Sequence, residues 1–511
     1  MGMCVSPTLL FNTMLRKIRL GLGVVMLAAI TFLFVDVSGW GAIHLNSLAH
    51  IQFLPSLLEG SLITVAVLLL ITLLFGRVYC SVICPLGLLQ DAFARLGLRA
   101  KPRRYFFSKE KRVLRFAVAA VFIAALAAGL GSLVALLAPY SSFGRIAQNV
   151  FQPVYQSVNN LLAYGAEAAG SYAFSATDVW VRTWPTFAIA IVTLIVIGIL
   201  AWRNGRTYCN TICPVGTLLG YVSKFSLFAP VIDNSRCVGC RMCEKSCKAA
   251  CINAQKSDGQ TPYIDTSRCV TCFNCIDNCK RGAIHYKARW RMAHKATPSE
   301  ADAPDGARRA FLTGLGVLAA SAAQAQKEKV VDGGLTILED KKPARRATDI
   351  VPPGAVSLRH FSRHCTGCQL CVAQCPNNVL RPSTDMATLM QPRMSYERGF
   401  CRPECNICSQ VCPAGAIRPI DLPTKSSTQI GHAVWVADRC VVNTDGVSCG
   451  NCARHCPNGA IAMVKSQDNP ELRIPTVNEV RCIGCGACEH VCPSRPLSAI
   501  YVEGHENHKE I

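Results

Sequence analysis

The sequence predicts a helical bundle of four membrane spans carrying two small, cysteine-stapled α+β domains. Three observations predict it. Four long apolar segments lie within the first 201 residues, the charge between them is one-sided, and 30 cysteines fall almost wholly into regular sets. A chain of 511 residues should hold several domains at about 100–200 residues each. Half the residues are hydrophobic and 17% are charged, too apolar for an all-soluble protein and too polar for a pure transporter.

The apolar segments run from Leu20 to Val37, Leu57 to Gly76, Val113 to Pro139 and Trp184 to Ala201. Each suits a hydrocarbon core about 30 Å thick. From Arg77 to Arg115 there are ten Lys or Arg against two acids, Asp91 and Glu110. The loop between the first two segments has no Lys or Arg, and the loop before the fourth has only Arg145 and Arg182. The positive-inside rule puts both ends of this bundle, residues 1–230, in the cytoplasm. Trp40, Trp180, Trp184 and Trp202 fall at span ends, where an interfacial belt belongs. The expected location is a bacterial inner membrane, crossed several times, with lipid as the bundle's solvent.

Residues 231–290 turn short, polar and cysteine-dense, a unit that folds around its cofactors for want of a core. Residues 291–360 form a linker. Inside it, 308–325 begin with Arg308-Arg309, continue through an apolar stretch and end in Ala323-Gln324-Ala325. Twin arginines, a short apolar run and a small-x-small end are the parts of a Tat export signal, with a fifth span as the alternative. Residues 361–511 then form a second cysteine-dense domain, which the signal would place in the periplasm.

A 4Fe–4S cube needs four soft thiolates, and a C-x2-C-x2-C loop supplies three while the next cysteine reaches the neighbouring cube. The middle domain has this pattern twice: Cys237, Cys240, Cys243 with Cys247, and Cys269, Cys272, Cys275 with Cys279. Exchange gives one cluster Cys237, Cys240, Cys243 and Cys279, and the other Cys269, Cys272, Cys275 and Cys247. Lys248 and Lys280 stand where proline commonly follows. The last domain has four groups, each ending in Cys-Pro: Cys365, Cys368, Cys371, Cys375; Cys401, Cys405, Cys408, Cys412; Cys440, Cys449, Cys452, Cys456; and Cys482, Cys485, Cys488, Cys492. Structural zinc uses paired CxxC knuckles, a different spacing. The fold class is therefore a four-span bundle plus two ferredoxin-like iron–sulfur domains, one with two clusters and one with four. Six cubanes at about −2 each would bring the formal charge of +21 to about +9. With no basic stripe interleaved by aromatics, nucleic acid is not an expected partner.

Two CxxxCP motifs form an internal repeat, Arg77-Val78-Tyr79-Cys80-Ser81-Val82-Ile83-Cys84-Pro85-Leu86-Gly87 and Arg206-Thr207-Tyr208-Cys209-Asn210-Thr211-Ile212-Cys213-Pro214-Val215-Gly216. Together Cys80, Cys84, Cys209 and Cys213 offer four thiols at the membrane surface, for a metal, a cluster or a redox dithiol. Cys251 reads as a packed free thiol and Cys4 as non-functional. His44, His50, Gln52, Gln148 and Asn149 lie in the two outer loops, as solvated interfacial residues or as hydrogen-bonding groups of a quinone pocket. No haem, nucleotide, zinc-protease or serine-hydrolase motif is present, which leaves electron transfer.

On Cys80-Cys84-Pro85, Cys209-Cys213-Pro214 and the eight cysteines from Cys237 to Cys279, the first 290 or so residues resemble the NapH/MauN membrane ferredoxins. From Arg308 onward, the twin arginines and four cysteine groups resemble the exported NapG/MauM ferredoxins. The resemblance implies a fusion of two proteins usually made separately. It implies a quinol dehydrogenase component passing electrons from menaquinol or ubiquinol to a periplasmic reductase, typically nitrate reductase, or to its electron-transfer subunit. In the last domain it implies that the first group exchanges its fourth cysteine with the fourth group, and the second with the third. Other expectations are service to an amine or alcohol dehydrogenase, a maturation or redox-repair role, and a soluble cytoplasmic redox partner for the middle domain.

Overall fold

The computed structural model describes residues 7–36, 38–100, 105–171, 173–255, 261–289, 331–332, 336–337, 339–467 and 469–511. The expected export signal, 308–325, and Cys4 lie outside them.

The first helix, Pro7–Val35, runs 29 residues on leucine, alanine and valine without an internal proline. It ends at Asp36, whose carboxylate accepts the backbone N–H groups of Ser38 (2.9 Å) and Gly41 (2.8 Å) and turns the chain. Among the described residues, two helices are long and apolar enough to cross a membrane, Met14–Val35 and Trp184–Asn204. The expected second and third spans are each divided. Gly60, at φ 82°, ends the helix Phe53–Glu59 before the 14-residue helix Leu62–Phe75. Gly129, at φ 73°, ends Arg112–Ala128 before Gly131–Leu137. Glycine enters the left-handed region without a Cβ clash, so the chain breaks there. By continuous helix length, two of the four expected spans are long enough to cross and the other two are each made of two shorter helices.

The bundle wears its apolar side chains outward. Val113, Ile63 and Leu62 are 85%, 81% and 75% exposed, while Arg77, Arg145 and Arg206 are fully buried. Soluble proteins distribute these residue types the other way.

The middle unit pairs Phe228–Ile232 antiparallel with Ile284–Ala288, and Ile252–Asn253 with Tyr263–Ile264, around two short helices. The last unit pairs Leu380–Pro382 with Pro392–Met394, Ile461–Lys465 with Arg473–Val477, and Thr428–Trp435 with Ile500–Glu510. One continuous core joins the bundle, the middle unit and the first half of the last unit; a second core gathers around Cys440, Cys482 and Cys492.

The first helix sets the distance between the two units. Arg16 forms an ion pair with Asp277 of the middle unit. Near its other end, the carbonyls of Leu33 and Asp36 accept from Gln374 of the last unit. Seventeen residues of α-helix rise about 26 Å. The two cysteine-rich units thus sit at opposite ends of one apolar helix.

Candidate metal centres

Each regular cysteine loop folds by the same local device. Two left-handed residues bracket its second cysteine: Gly239 and Arg241, Thr271 and Phe273, Gly367 and Gln369, Gly484 and Gly486. This turns successive backbone N–H groups inward and makes an anion-binding nest. Thr271, β-branched at φ 50°, holds a conformation that costs about 1–3 kcal/mol. Such strain persists where the surroundings require it. The two groups with lengthened first gaps, at Cys401 and Cys440, have no left-handed residue between their second and third cysteines.

The fourth cysteines receive backbone donors. Cys279 Sγ accepts from Ala283 (3.2 Å), Cys412 from Ile417 (3.4 Å), Cys456 from Ala460 (3.2 Å) and Cys492 from Ala499 (3.3 Å). A thiolate-bound cluster is an anion, and hydrogen bonds to its sulfurs stabilise the reduced state. All-thiol donor sets in such nests fit 4Fe–4S clusters. Among the described residues, no three His, Cys, Asp or Glu side chains close tightly enough to hold a single metal ion.

The fold decides which fourth cysteine joins which loop. In the middle unit Cys279 lies by Cys237, Cys240 and Cys243, and Cys247 by Cys269, Cys272 and Cys275. In the last unit the exchange implied by the resemblance is not the one formed. Cys412, from the second group, joins Cys365, Cys368 and Cys371. Cys375 joins Cys401, Cys405 and Cys408. Cys456 joins Cys482, Cys485 and Cys488, and Cys492 joins Cys440, Cys449 and Cys452. Exchange between neighbours in sequence closes far shorter loops, at a smaller entropic cost. The sets then run in a row from the bundle: Cys371 approaches Cys408, and Cys401 N–H donates to the Cys485 carbonyl at 2.9 Å.

This pairing has a direct test by iron counting. Cys412→Ser and Cys368→Ser, combined, should lose no more iron than one alone, because both ligate one cluster. Cys412→Ser with Cys452→Ser should lose twice as much. The reverse result would restore the exchange the resemblance implies.

The two CxxxCP pairs also meet. Their surroundings couple Cys80, Cys84, Cys209 and Cys213 electrostatically in every pairing. They lie in the bundle interior, each at most 6% exposed. Two arginines bind the copies together. Arg77 reaches its own Cys80 Sγ (3.6 Å) and the carbonyl of Cys209 (3.2 Å). Arg206 reaches its own Cys209 Sγ (3.9 Å) and the carbonyl of Cys80 (2.7 Å). The closing glycines make room for this crossing. A Cβ on Gly87 would lie 2.5 Å from Arg206 Nη1, and one on Gly216 would lie 2.9 Å from Arg77 Nη2. Pro85 and Pro214 start the next helices, a position where the missing N–H costs nothing.

Residues beyond the expected set shape this region. Gly76 and Gly205, each just before the repeat's arginine, both hold positive φ against the middle unit. A Cβ on Gly205 would lie 2.3 Å from the Lys248 carbonyl. Asp91 binds Arg206 (2.6 Å), Lys248 (2.5 Å) and Arg19. The arginine was visible in both copies of the repeat; Asp91 stood out only as one of two acids between Arg77 and Arg115.

The other expected residues separate. Cys251 is buried 3.5 Å from Cys247 Sγ. His44 stacks on Trp40, and His50 pairs with Glu59 at 3.1 Å. Gln52 is buried and accepts from Tyr79 OH (3.1 Å). Asn149 donates to Gln369 Oε1 at 3.0 Å and so helps seat the last unit, with Gln152 donating to the Ala373 carbonyl beside it. Gln148 is buried next to Asn149. A cavity of about 280 Å³ lies between the first helix, the helix Pro85–Ala100 and the middle unit.

Comparison with known proteins matches parts of the chain. The description "4Fe-4S binding domain" matches residues 60–104 and 184–230, the two repeat copies with their preceding helices. "4Fe-4S dicluster domain" matches 364–417, which holds the first two cysteine groups of the last unit, and 447–495, which holds the other two except Cys440. The methylamine utilization ferredoxin-type protein MauM of Methylophilus methylotrophus is 36% identical over 159 residues, 30% of this chain and 70% of its own length. MauM of Methylobacillus flagellatus is 36% identical over 157 residues, covering 30% and 67%. The ferredoxin-type protein NapG of Escherichia coli K12 is 31% identical over 152 residues, covering 28% and 64%. No solved structure matches.

Proposed function

We infer the function from one premise: the chain belongs to the MauM family of ferredoxin-type proteins. It is an iron–sulfur electron-transfer protein. We propose that its six ferredoxin-type thiol sets hold six 4Fe–4S clusters, and that the bundle, built from all four apolar stretches, sits in the inner membrane. Electrons pass from a quinol to a periplasmic reductase, of which nitrate reductase is the leading candidate. The N-terminal part serves as a NapH/MauN-type membrane ferredoxin and the C-terminal part as its exported partner.

The observation that carries this reading is the seating of two ferredoxin units at opposite ends of a 29-residue apolar helix, about 26 Å apart along it. That span nearly matches a hydrocarbon core about 30 Å thick. The outward valines, leucines and isoleucines support lipid contact. The 280 Å³ cavity supports quinol entry on the side of the middle unit. Leu20, Val24, Leu27 and Leu88 make its apolar wall, while Arg16, Arg19, Arg95, Asp91 and Lys248, next to Cys247, make a charged side that can hydrogen-bond a quinol's oxygens.

A second reading, service to an amine or alcohol dehydrogenase, is favoured by the higher identity to proteins named for methylamine utilization.

The test is anaerobic purification in detergent, iron analysis and titration with a quinol analogue. At least about 24 iron atoms per chain and bleaching of the cluster absorbance are expected. No bleaching would end the quinol reading. Labelling of cysteine-free tags beyond residue 360 only from the cytoplasmic side would end the transmembrane one. Either terminal partner can be tried against the reduced protein.

A further inference from the structure

The reading above leaves a gap of about a membrane's thickness between the two sets of clusters. We infer that Cys80, Cys84, Cys209 and Cys213 jointly hold one additional iron–sulfur cluster, shared between the two CxxxCP copies, which relays electrons between the two ferredoxin units. The inference rests on the electron-transfer reading, and it assigns a single centre to both copies of the repeat where each alone has only two thiols.

Position is the first argument. Ser81, next to Cys80, has its carbonyl 3.5 Å from where a Cβ on Gly23 would stand. Gly23 lies on the first helix between Arg16, which meets the middle unit, and Leu33, which meets the last one. The helix rise puts it about 10 Å from the first contact and about 15 Å from the second. The four thiols therefore lie mid-way along the route.

Contact with both sides is the second. Toward the middle unit, Asn210 donates to the Ala249 carbonyl (3.1 Å), two residues past Cys247. Arg77 donates to the Ser267 carbonyl (3.3 Å), two residues before Cys269. Toward the last unit, Tyr208 lies beside Ser142. Two residues on, Gly144 packs so closely under Cys368 that a Cβ there would lie 2.2 Å from its carbonyl oxygen.

Charge is the third. Arg77 and Arg206 are fully buried, and Arg77 has no carboxylate partner among the described residues. Arg77 Nε and Arg206 Nη2 have no hydrogen-bond acceptor there. An unpaired buried cation is costly, and neutral thiols do not offset it. A thiolate-bound cluster of charge about −2 does. Gln90 adds a donor to Cys209 Sγ at 3.3 Å, and Gly216 N–H donates to Cys213 Sγ at 3.3 Å, as backbone amides do in the ferredoxin sets. Each relay step moves one electron: the cluster bound by Cys247, Cys269, Cys272 and Cys275 is oxidised as the shared one is reduced. That one is then oxidised by the cluster bound by Cys365, Cys368, Cys371 and Cys412. No bond is made or broken.

The test uses the full chain, purified anaerobically in detergent. Wild type should carry about 28 iron atoms, and Cys84→Ser or Cys213→Ser about 24, with the other cluster signals retained. In these variants a quinol analogue should still reduce the middle unit, while reduction of the last unit slows at least tenfold. About 24 iron in wild type with no loss in the variants would overturn the inference. So would zinc or copper that leaves with the thiols. If neither cysteine variant can be isolated, Arg77→Lys decides. It keeps the charge but loses the fork, so one electron paramagnetic signal should shift at unchanged iron, and unchanged signals would overturn the inference. If quinol reduces neither unit of wild type while iron stands near 28, the quinol reading fails and the shared cluster stands.

Discussion

Asp91→Asn is expected to lower the stability of the detergent-solubilised protein by about 3–5 kcal/mol, the cost of stranding buried charge. One carboxylate binds Arg19 of the first helix, Arg206 of the second repeat copy and Lys248 of the middle unit. Arg206 is fully buried and the other two nearly so. Asparagine keeps the shape and removes the one carboxylate that, among the described residues, all three share, so the seam between bundle and middle unit should open first. Thermal unfolding and the rate of iron loss in air measure this, and an unchanged midpoint would refute it. Adding Lys248→Met should recover part of the loss, because one stranded cation is gone. Burial pushes the Asp91 pKa up, but Arg206, Lys248 and Arg19 outweigh it and hold the carboxylate well below its ordinary range. A depressed carboxylate contributes fully above its unfolded value of about 3.9 and loses that contribution as pH falls through the folded one. Acidification to pH 5 should therefore leave this seam intact.

Gly144→Ala should separate the last unit from the bundle while both keep their iron. The added carbon would lie 2.2 Å from the Cys368 carbonyl and 2.9 Å from the Phe34 ring, so backbone must move. Overpacking of this kind costs about 1–3 kcal/mol, a 5- to 150-fold weakening of the docked state. Tunnelling falls off exponentially with distance. Transfer from the quinol-reduced middle unit to the last unit should therefore slow by at least the undocked fraction. Stopped-flow reduction monitored at the two sets separately would report it. Equal rates in wild type and variant would show that the Gly144 contact is not on the route.

The sequence determined the chemistry of the cysteine sets, because a C-x2-C-x2-C loop fixes three ligands within seven residues and its conformation is local. It also marked the apolar stretches and the repeated Arg-x-Tyr-Cys-x-x-Ile-Cys-Pro-x-Gly. Gly60 and Gly129 were in plain view as residues, yet whether a glycine breaks an apolar helix depends on what the next turn packs against. The tertiary structure alone decided that Cys412 joins Cys365, that Arg77 and Arg206 cross to the opposite copy's carbonyls, and that Asp91 serves three cations. Each of these joins segments distant along the chain. Such partnerships leave no periodic or spacing signature, since their free energy comes from burying charge and closing loops in one assembled interior.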